Sequence, residues 1–134
     1  MEKILISNAT HPEVQPVIVT YCDSFFSRLR GLILYPPVSY YTGLLLVYHK
    51  ESMLDTSIHM LGVRSDLAVV WIDKNNIAVE VILARKSKLA YRPHKPACFV
   101  LEMNPARIND FNPGDHIRME KYLDIRNEIN HENR

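Results

Sequence analysis

Cysteine is scarce in this chain: Cys22 and Cys98 are the only two, and they lie outside any Cys-x-x-Cys or zinc-type spacing. That excludes a cysteine-built zinc site and leaves two reduced thiols as the expected state, with a single disulfide as the alternative. Long apolar runs are missing as well. No stretch approaches the ~18 consecutive apolar residues of a membrane helix. The opening Met1-Glu2-Lys3-Ile4-Leu5-Ile6-Ser7-Asn8 is too short an apolar run for a signal peptide, with no small-residue cleavage site after it. The expectation is a cytoplasmic protein with two reduced, packed thiols and no membrane contact. The six histidines are scattered, with no His-x-His or His-x-x-x-His pair, so no metal and no cofactor is expected. A Gly-x-Ser-x-Gly nucleophile turn, a phosphate loop and a dinucleotide fingerprint are all absent. Neither sign of charge dominates. Sixteen Lys and Arg against 15 Asp and Glu give a net charge of +1, which argues against a dedicated nucleic-acid or membrane-surface binder.

What is present is a chain of 134 residues, 47% hydrophobic, enough to bury one core without metal or disulfide help. It has no internal repeat, linker or low-complexity tract, so residues 1–122 read as a single β-rich domain and 123–134 as a polar tail. Short strands are expected over Glu2–Ser7, Val14–Tyr21, Gly43–Tyr48, Leu67–Ile72, Ile77–Ala84, Ala97–Met103 and His116–Tyr122. Asp73-Lys74-Asn75-Asn76 makes a hairpin turn, and a polar loop covers His49–Thr56. Asp23 or Ser24 can cap a helix in which Phe25, Leu29, Leu32 and Ile33 recur at helical spacing. Asn104-Pro105 has the chemistry to start a short helix near residues 105–111. The pattern predicts a mainly β fold, an antiparallel sandwich or partial barrel with these two helices.

Four stretches, in this order and spacing, resemble domain-of-unknown-function family 192. They are Arg28-Leu29-Arg30-Gly31-Leu32, Gly43-Leu44-Leu45-Leu46, the segment Ser57 to Arg64 running on through Val69-Val70-Trp71-Ile72-Asp73, and Leu101-Glu102 followed by Gly114-Asp115. The resemblance covers roughly Val17 to Met119. The sequence departs from the pattern at Asp66 and Ala68, and again around Ala106. The resemblance implies a compact, mainly β sandwich and carries no activity with it.

Function-bearing candidates fall into three groups. His59 and Arg64 stand in the Ser57–Arg64 segment, where a bend at Gly62 could bring them together to bind a carboxylate or phosphate. The structural alternative has His59 bonding within a loop and Arg64 pairing with Asp66. Arg28 and Glu102 could line a pocket as a charged pair, or dock the helix on the sheet as a partly buried ion pair. Asp115 reads as a turn residue after Gly114. Between Arg85 and Lys95 stand Arg85, Lys86, Lys88, Arg92 and Lys95 with no acid among them, interleaved with Tyr91. This basic patch could grip an acidic partner or single-stranded nucleic acid, or could be a solvated loop.

The resulting reading is a non-catalytic binding or interaction module. It would take an anionic or polar small ligand, or a partner peptide, at His59 and Arg64 with support from Arg28 and Glu102. The alternative is an enzyme of unknown class, with His59 as acid/base and Arg64 as anion clamp. A weak nucleic-acid binder acting through the basic patch is the third reading.

Overall fold

Short runs of apolar and β-branched residues, each closed by Pro, Gly, Asn or Asp, leave this chain few options besides strands. In the computed structural model, which describes residues 2–24, 27–28 and 38–122, nine strands form. They are β1 Lys3–Asn8, β2 Val17–Cys22, β3 Thr42–Ser52, β4 Ile58–His59, β5 Leu67–Ile72, β6 Ala78–Ala84, β7 Ala90–Tyr91, β8 Ala97–Met103 and β9 Ile117–Lys121. Seven of them make one sheet in the order β6-β5-β8-β3-β2-β1-β9, and β4 pairs with β7 in a separate ribbon.

The sheet curls until its two edges meet at one point. A bridge joins Ile77, just before β6, to His116, just before β9. Three further backbone bonds fasten it: Ala78 N–H to the Asp115 carbonyl (2.9 Å), Gly114 N–H to the Ala78 carbonyl (2.8 Å), and Ile117 N–H to the Asn76 carbonyl (2.8 Å). Asn76 reaches this position through a left-handed backbone (φ 61°), which asparagine tolerates. The fold is mainly β and half-barrel in form, the partial barrel rather than the sandwich.

It is not antiparallel throughout. β2 and β3 run parallel, pairing Val19 with Gly43 and Tyr21 with Leu45. A parallel neighbour requires a crossover, and residues 23–41 supply it. The helix expected over Phe25 to Ile33 lies in that crossover, outside the described residues except for Ser27 and Arg28. There the Ser24 hydroxyl accepts from the Ser27 N–H (3.1 Å), and the Arg28 N–H reaches the Ser24 carbonyl (3.0 Å). The second expected helix is corrected to a single 3-10 turn, Pro105–Arg107, capped by the Asn104 side chain. Phe111, four residues beyond this turn, is fully buried in the apolar core.

Arg107, in the turn itself, is also fully buried. Its guanidinium donates to the Asp110 carboxylate (2.6 Å) and to the carbonyls of Tyr40 (3.1 Å), Pro16 and Gln15, and lies 4.7 Å from the Tyr40 ring centre. A buried cation is tolerable only with this degree of pairing. It ties the turn after β8 to the segments that enter β2 and β3.

Two apolar clusters follow from the pleat. The concave face gathers Ile6, Val19, Leu45, Val70, Leu101, Met103 and Ile117 from strands all round the sheet. The convex face gathers Leu44, Leu46, Leu67, Val69, Trp71 and Val100. β5 is buried on both sides, which is why Leu-Ala-Val-Val-Trp-Ile carries no polar alternation. A convex face this apolar must be covered. The segment after β3 does so by laying Ile58, Met60 and, partly buried, Val63 onto it.

Candidate functional site

The Ser57–Arg64 segment is therefore first of all a cover. Thr56 is buried, and its carbonyl accepts a hydrogen bond from the Trp71 indole N–H (2.7 Å), which fixes where the segment begins. From there the alternation of a strand takes over. Ile58 and Met60 point into the convex cluster, whereas His59 points to solvent. Gly62 (φ 79°) then turns the chain, with Val63 N–H bonded back to the Met60 carbonyl (3.0 Å). Among the described residues neither the His59 ring nor the Arg64 guanidinium has a carboxylate partner. The expected Arg64–Asp66 pair is absent, and the Asp66 carboxylate accepts from the Lys86 backbone N–H (2.9 Å).

That last contact brings the first and third candidate groups together. β4 pairs with β7, Ile58 opposite Tyr91 and His59 opposite Ala90, and Met60 N–H bonds the Leu89 carbonyl (2.7 Å). The basic segment is thus a built part of the fold rather than a free loop. Its turn closes through Lys88 N–H to the Arg85 carbonyl (3.1 Å), and Arg85 N–H donates to the Tyr91 hydroxyl (2.8 Å). Its far end is held by His94, whose backbone N–H and ring Nδ1 both reach the Glu80 carboxylate (2.7 Å each). Pro93 is buried beneath it. The five basic side chains all remain exposed, with the Lys88 ammonium 4.6 Å from the Tyr91 ring centre.

Arg28 and Glu102 take other positions on the convex side. The expected ion pair between them is not formed. The Arg28 guanidinium donates to the Asp23 (2.6 Å) and Val47 (3.1 Å) carbonyls and stacks 4.8 Å from the Tyr48 ring centre. Glu102 stands on β8 between Leu44 of β3 and Val69 of β5, and it is buried. Removal from water favours its neutral form and pushes the carboxyl up to about 7. The thiols respond the same way. Burial raises Cys22 to about 11, helped by the nearby Glu102 charge, and raises Cys98 to about 11. Neither thiol is a nucleophile at neutral pH.

Sequence reasoning missed a buried polar knot and an exposed apolar pair. Asp115 is a turn residue, as expected, but it is also buried, accepting from Asn8 Nδ2 (2.8 Å) and Asn112 N–H (2.8 Å) with His11 Nε2 at 3.5 Å. Leu61 and Leu89 are 68% and 65% exposed, one just after β4 and the other just before β7. Leu61 beside Gly62, and Leu89 inside the basic run, were the available signals: apolar residues in turn segments with no strand face to serve. Among the described residues no three His, Cys, Asp or Glu side chains converge as metal ligands. No helix among them is long and apolar enough to cross a membrane.

This curled sheet and its cover have relatives. The family model DUF192, described as an uncharacterized ACR, matches residues 6–119. The chain belongs to that family. A UPF0127 protein from Thermococcus gammatolerans is 34% identical over 115 residues, spanning 84% of this chain and 73% of the relative. One from Thermococcus kodakarensis is 34% identical over 98 residues, spanning 73% of this chain and 60% of that protein's length. Among solved structures, the chain is similar to a candidate transcription regulator from Sinorhizobium meliloti 1021. That match has a TM-score of 0.74 at 16% identity and covers 88% of this DUF192 chain and 92% of the other. A protein of unknown function from Novosphingobium aromaticivorans aligns with a TM-score of 0.67 at 12% identity, over 87% and 83% of the two chains. At such identities the likeness concerns the fold alone.

Proposed function

We propose that this DUF192 chain is a non-catalytic, single-domain interaction module that receives an anionic partner on the ribbon formed by β4 and β7. The observation that carries this reading is the pairing of His59 with Ala90. It joins along one ribbon two sequence segments whose cations have no carboxylate partner among the described residues. His59, Arg64, Arg85, Lys86, Lys88 and Arg92 all stand exposed there. Arg supplies planar two-point contacts to carboxylate or phosphate, and Lys supplies point charges. The rigid underside, Ile58 and Met60 in the convex cluster, holds the surface in place without taking part in binding. In this reading Arg28 and Glu102 serve the packing of the convex face.

The test is retention of the full chain on immobilised polyglutamate across a salt gradient. Arg64→Ala with Lys86→Ala and Lys88→Ala should elute at clearly lower salt, since each lost contact lowers the salt dependence of binding. A control triple, Lys3→Ala, Arg118→Ala and Lys121→Ala, removes the same charge from β1 and β9 and should elute close to the parent. Equal loss in both triples would show binding by net charge alone and would refute the ribbon.

A further inference from the structure

The ribbon has one end where charge is not the only feature. β4 and β7 are antiparallel, so the turn after β4 and the turn before β7 lie at the same end. Leu61 lies in the first turn and Leu89 follows the second, directly before β7, where its carbonyl accepts from the Met60 N–H. Both side chains stand out in water while their neighbours Met60 and Val63 are drawn into the convex cluster. Around them are Arg64, Arg85, Lys86 and Lys88, all exposed. Asp66, whose carboxylate accepts from the Lys86 N–H and keeps its charge, sets one anion against these four cations.

Resting on the binding reading above, we infer that the anionic partner is a lipid surface, which this end of the ribbon contacts by inserting Leu61 and Leu89 between headgroups that Arg64, Arg85, Lys86 and Lys88 hold. Leu61 and Leu89 stand at the end of the ribbon and not along its strand edges, where an added peptide strand would pair. On a nucleic-acid backbone the cations would suffice and the leucines would contribute nothing. A bilayer interface uses both, since headgroup charge attracts the cations and the acyl boundary takes apolar side chains. The small net charge of the whole chain does not oppose this. Fields of exposed charges are screened within ~8 Å at physiological salt, so the local cations decide.

The test is co-sedimentation of the full chain with vesicles of phosphatidylcholine, with and without phosphatidylglycerol, alongside the polyglutamate assay. Binding should require phosphatidylglycerol and fall about fivefold for Lys86→Ala or Lys88→Ala. Leu61→Gln with Leu89→Gln should weaken vesicle binding about tenfold or more while leaving polyglutamate retention unchanged. Unaltered melting of the double variant establishes that it folds, as substitution at exposed turns predicts. Retention on polyglutamate without vesicle binding would overturn the lipid inference and leave the binding reading standing. Loss of both would overturn both. Vesicle binding indifferent to the leucines, or tighter binding to single-stranded nucleic acid than to vesicles, would also overturn it.

Discussion

Replacing Glu102 by Gln removes a buried carboxyl whose ionisation the fold opposes. The carboxyl ordinarily titrates near 4.5 and is pushed up to about 7 by burial between Leu44 and Val69. Below pH 4.5 it is protonated whether the chain is folded or not, so it has no pH-dependent effect on stability there. As pH rises from 4.5 to 7 the unfolded chain releases the proton and the folded chain keeps it. Stability therefore falls across that window and is flat above it. The difference of about 2.5 pH units corresponds to a loss of about 3 kcal/mol, or about 10 °C in Tm for a chain of this size. Cys22 and Tyr48, the neighbouring groups on this face, are both raised by burial and titrate well above the window. Gln stays neutral at every pH, so the melting curves of parent and Glu102→Gln must separate between pH 4.5 and 7, with Gln ahead. Whatever constant offset the amide introduces, the gap must open with pH, and Glu102→Leu must show the same opening. Parallel melting curves from pH 4 to 8, followed by circular dichroism, would refute the claim that burial dominates this carboxyl.

Other outcomes follow from the same geometry. Arg107→Ala should cost about 3–5 kcal/mol in urea denaturation, because it strands the Asp110 carboxylate and several carbonyls at the barrel end, and Arg107→Lys should recover only part of that. Trp71→Phe leaves the Thr56 carbonyl without its indole donor and should cost about 1–3 kcal/mol. Hydrogen exchange in that variant should quicken in residues 56–64, and a uniform rise across the sheet would count against the anchoring role. Gly43→Ala would drive a Cβ into the Glu102 carbonyl oxygen across the β3–β8 ladder, so it should lower Tm by several degrees, as overpacking does. Cys22 and Cys98 should react slowly with a disulfide reagent at pH 8 in the folded chain and promptly in denaturant.

Strands that bury both faces were the most legible part of the fold. Leu67–Ile72 is a continuous apolar run and Ala97–Met103 is apolar but for Glu102, and the ends of both in the structure match those read from the sequence. β3 was harder. It runs four residues beyond the apolar Gly43–Tyr48 to Ser52, because backbone pairing resumes opposite Ala97 after a bulge, and hydropathy does not report backbone pairing. The turn at Asp73–Asn76 was legible for a local reason, as its chemistry is carried by its own side chains: Asp73 Oδ1 accepts from Asn75 N–H (2.8 Å) and Ile77 N–H (3.0 Å). The parallel pairing of β2 with β3 was not, since nothing within either strand states which neighbour a crossover returns to.

The candidate site divides along the same line. Gly62 signalled its turn and the cations of residues 85–95 signalled a patch, because composition carries both. That the two meet was invisible, for β4 and β7 are two-residue strands with no periodicity to detect. The ion pairs failed for a related reason. Charge types at suitable separations suggested Arg28 with Glu102 and Arg64 with Asp66, yet a guanidinium near strand ends finds backbone carbonyls as readily as carboxylates, and Asp66 found a backbone N–H. Backbone groups outnumber charged side chains and carry no residue label, so a sequence underreports them as partners. The same competition leaves Arg64 exposed and without a carboxylate partner among the described residues, beside Lys86 and Lys88. A surface cation kept from an internal partner in this way stays available to an external one, and that availability is what the vesicle and polyglutamate assays measure.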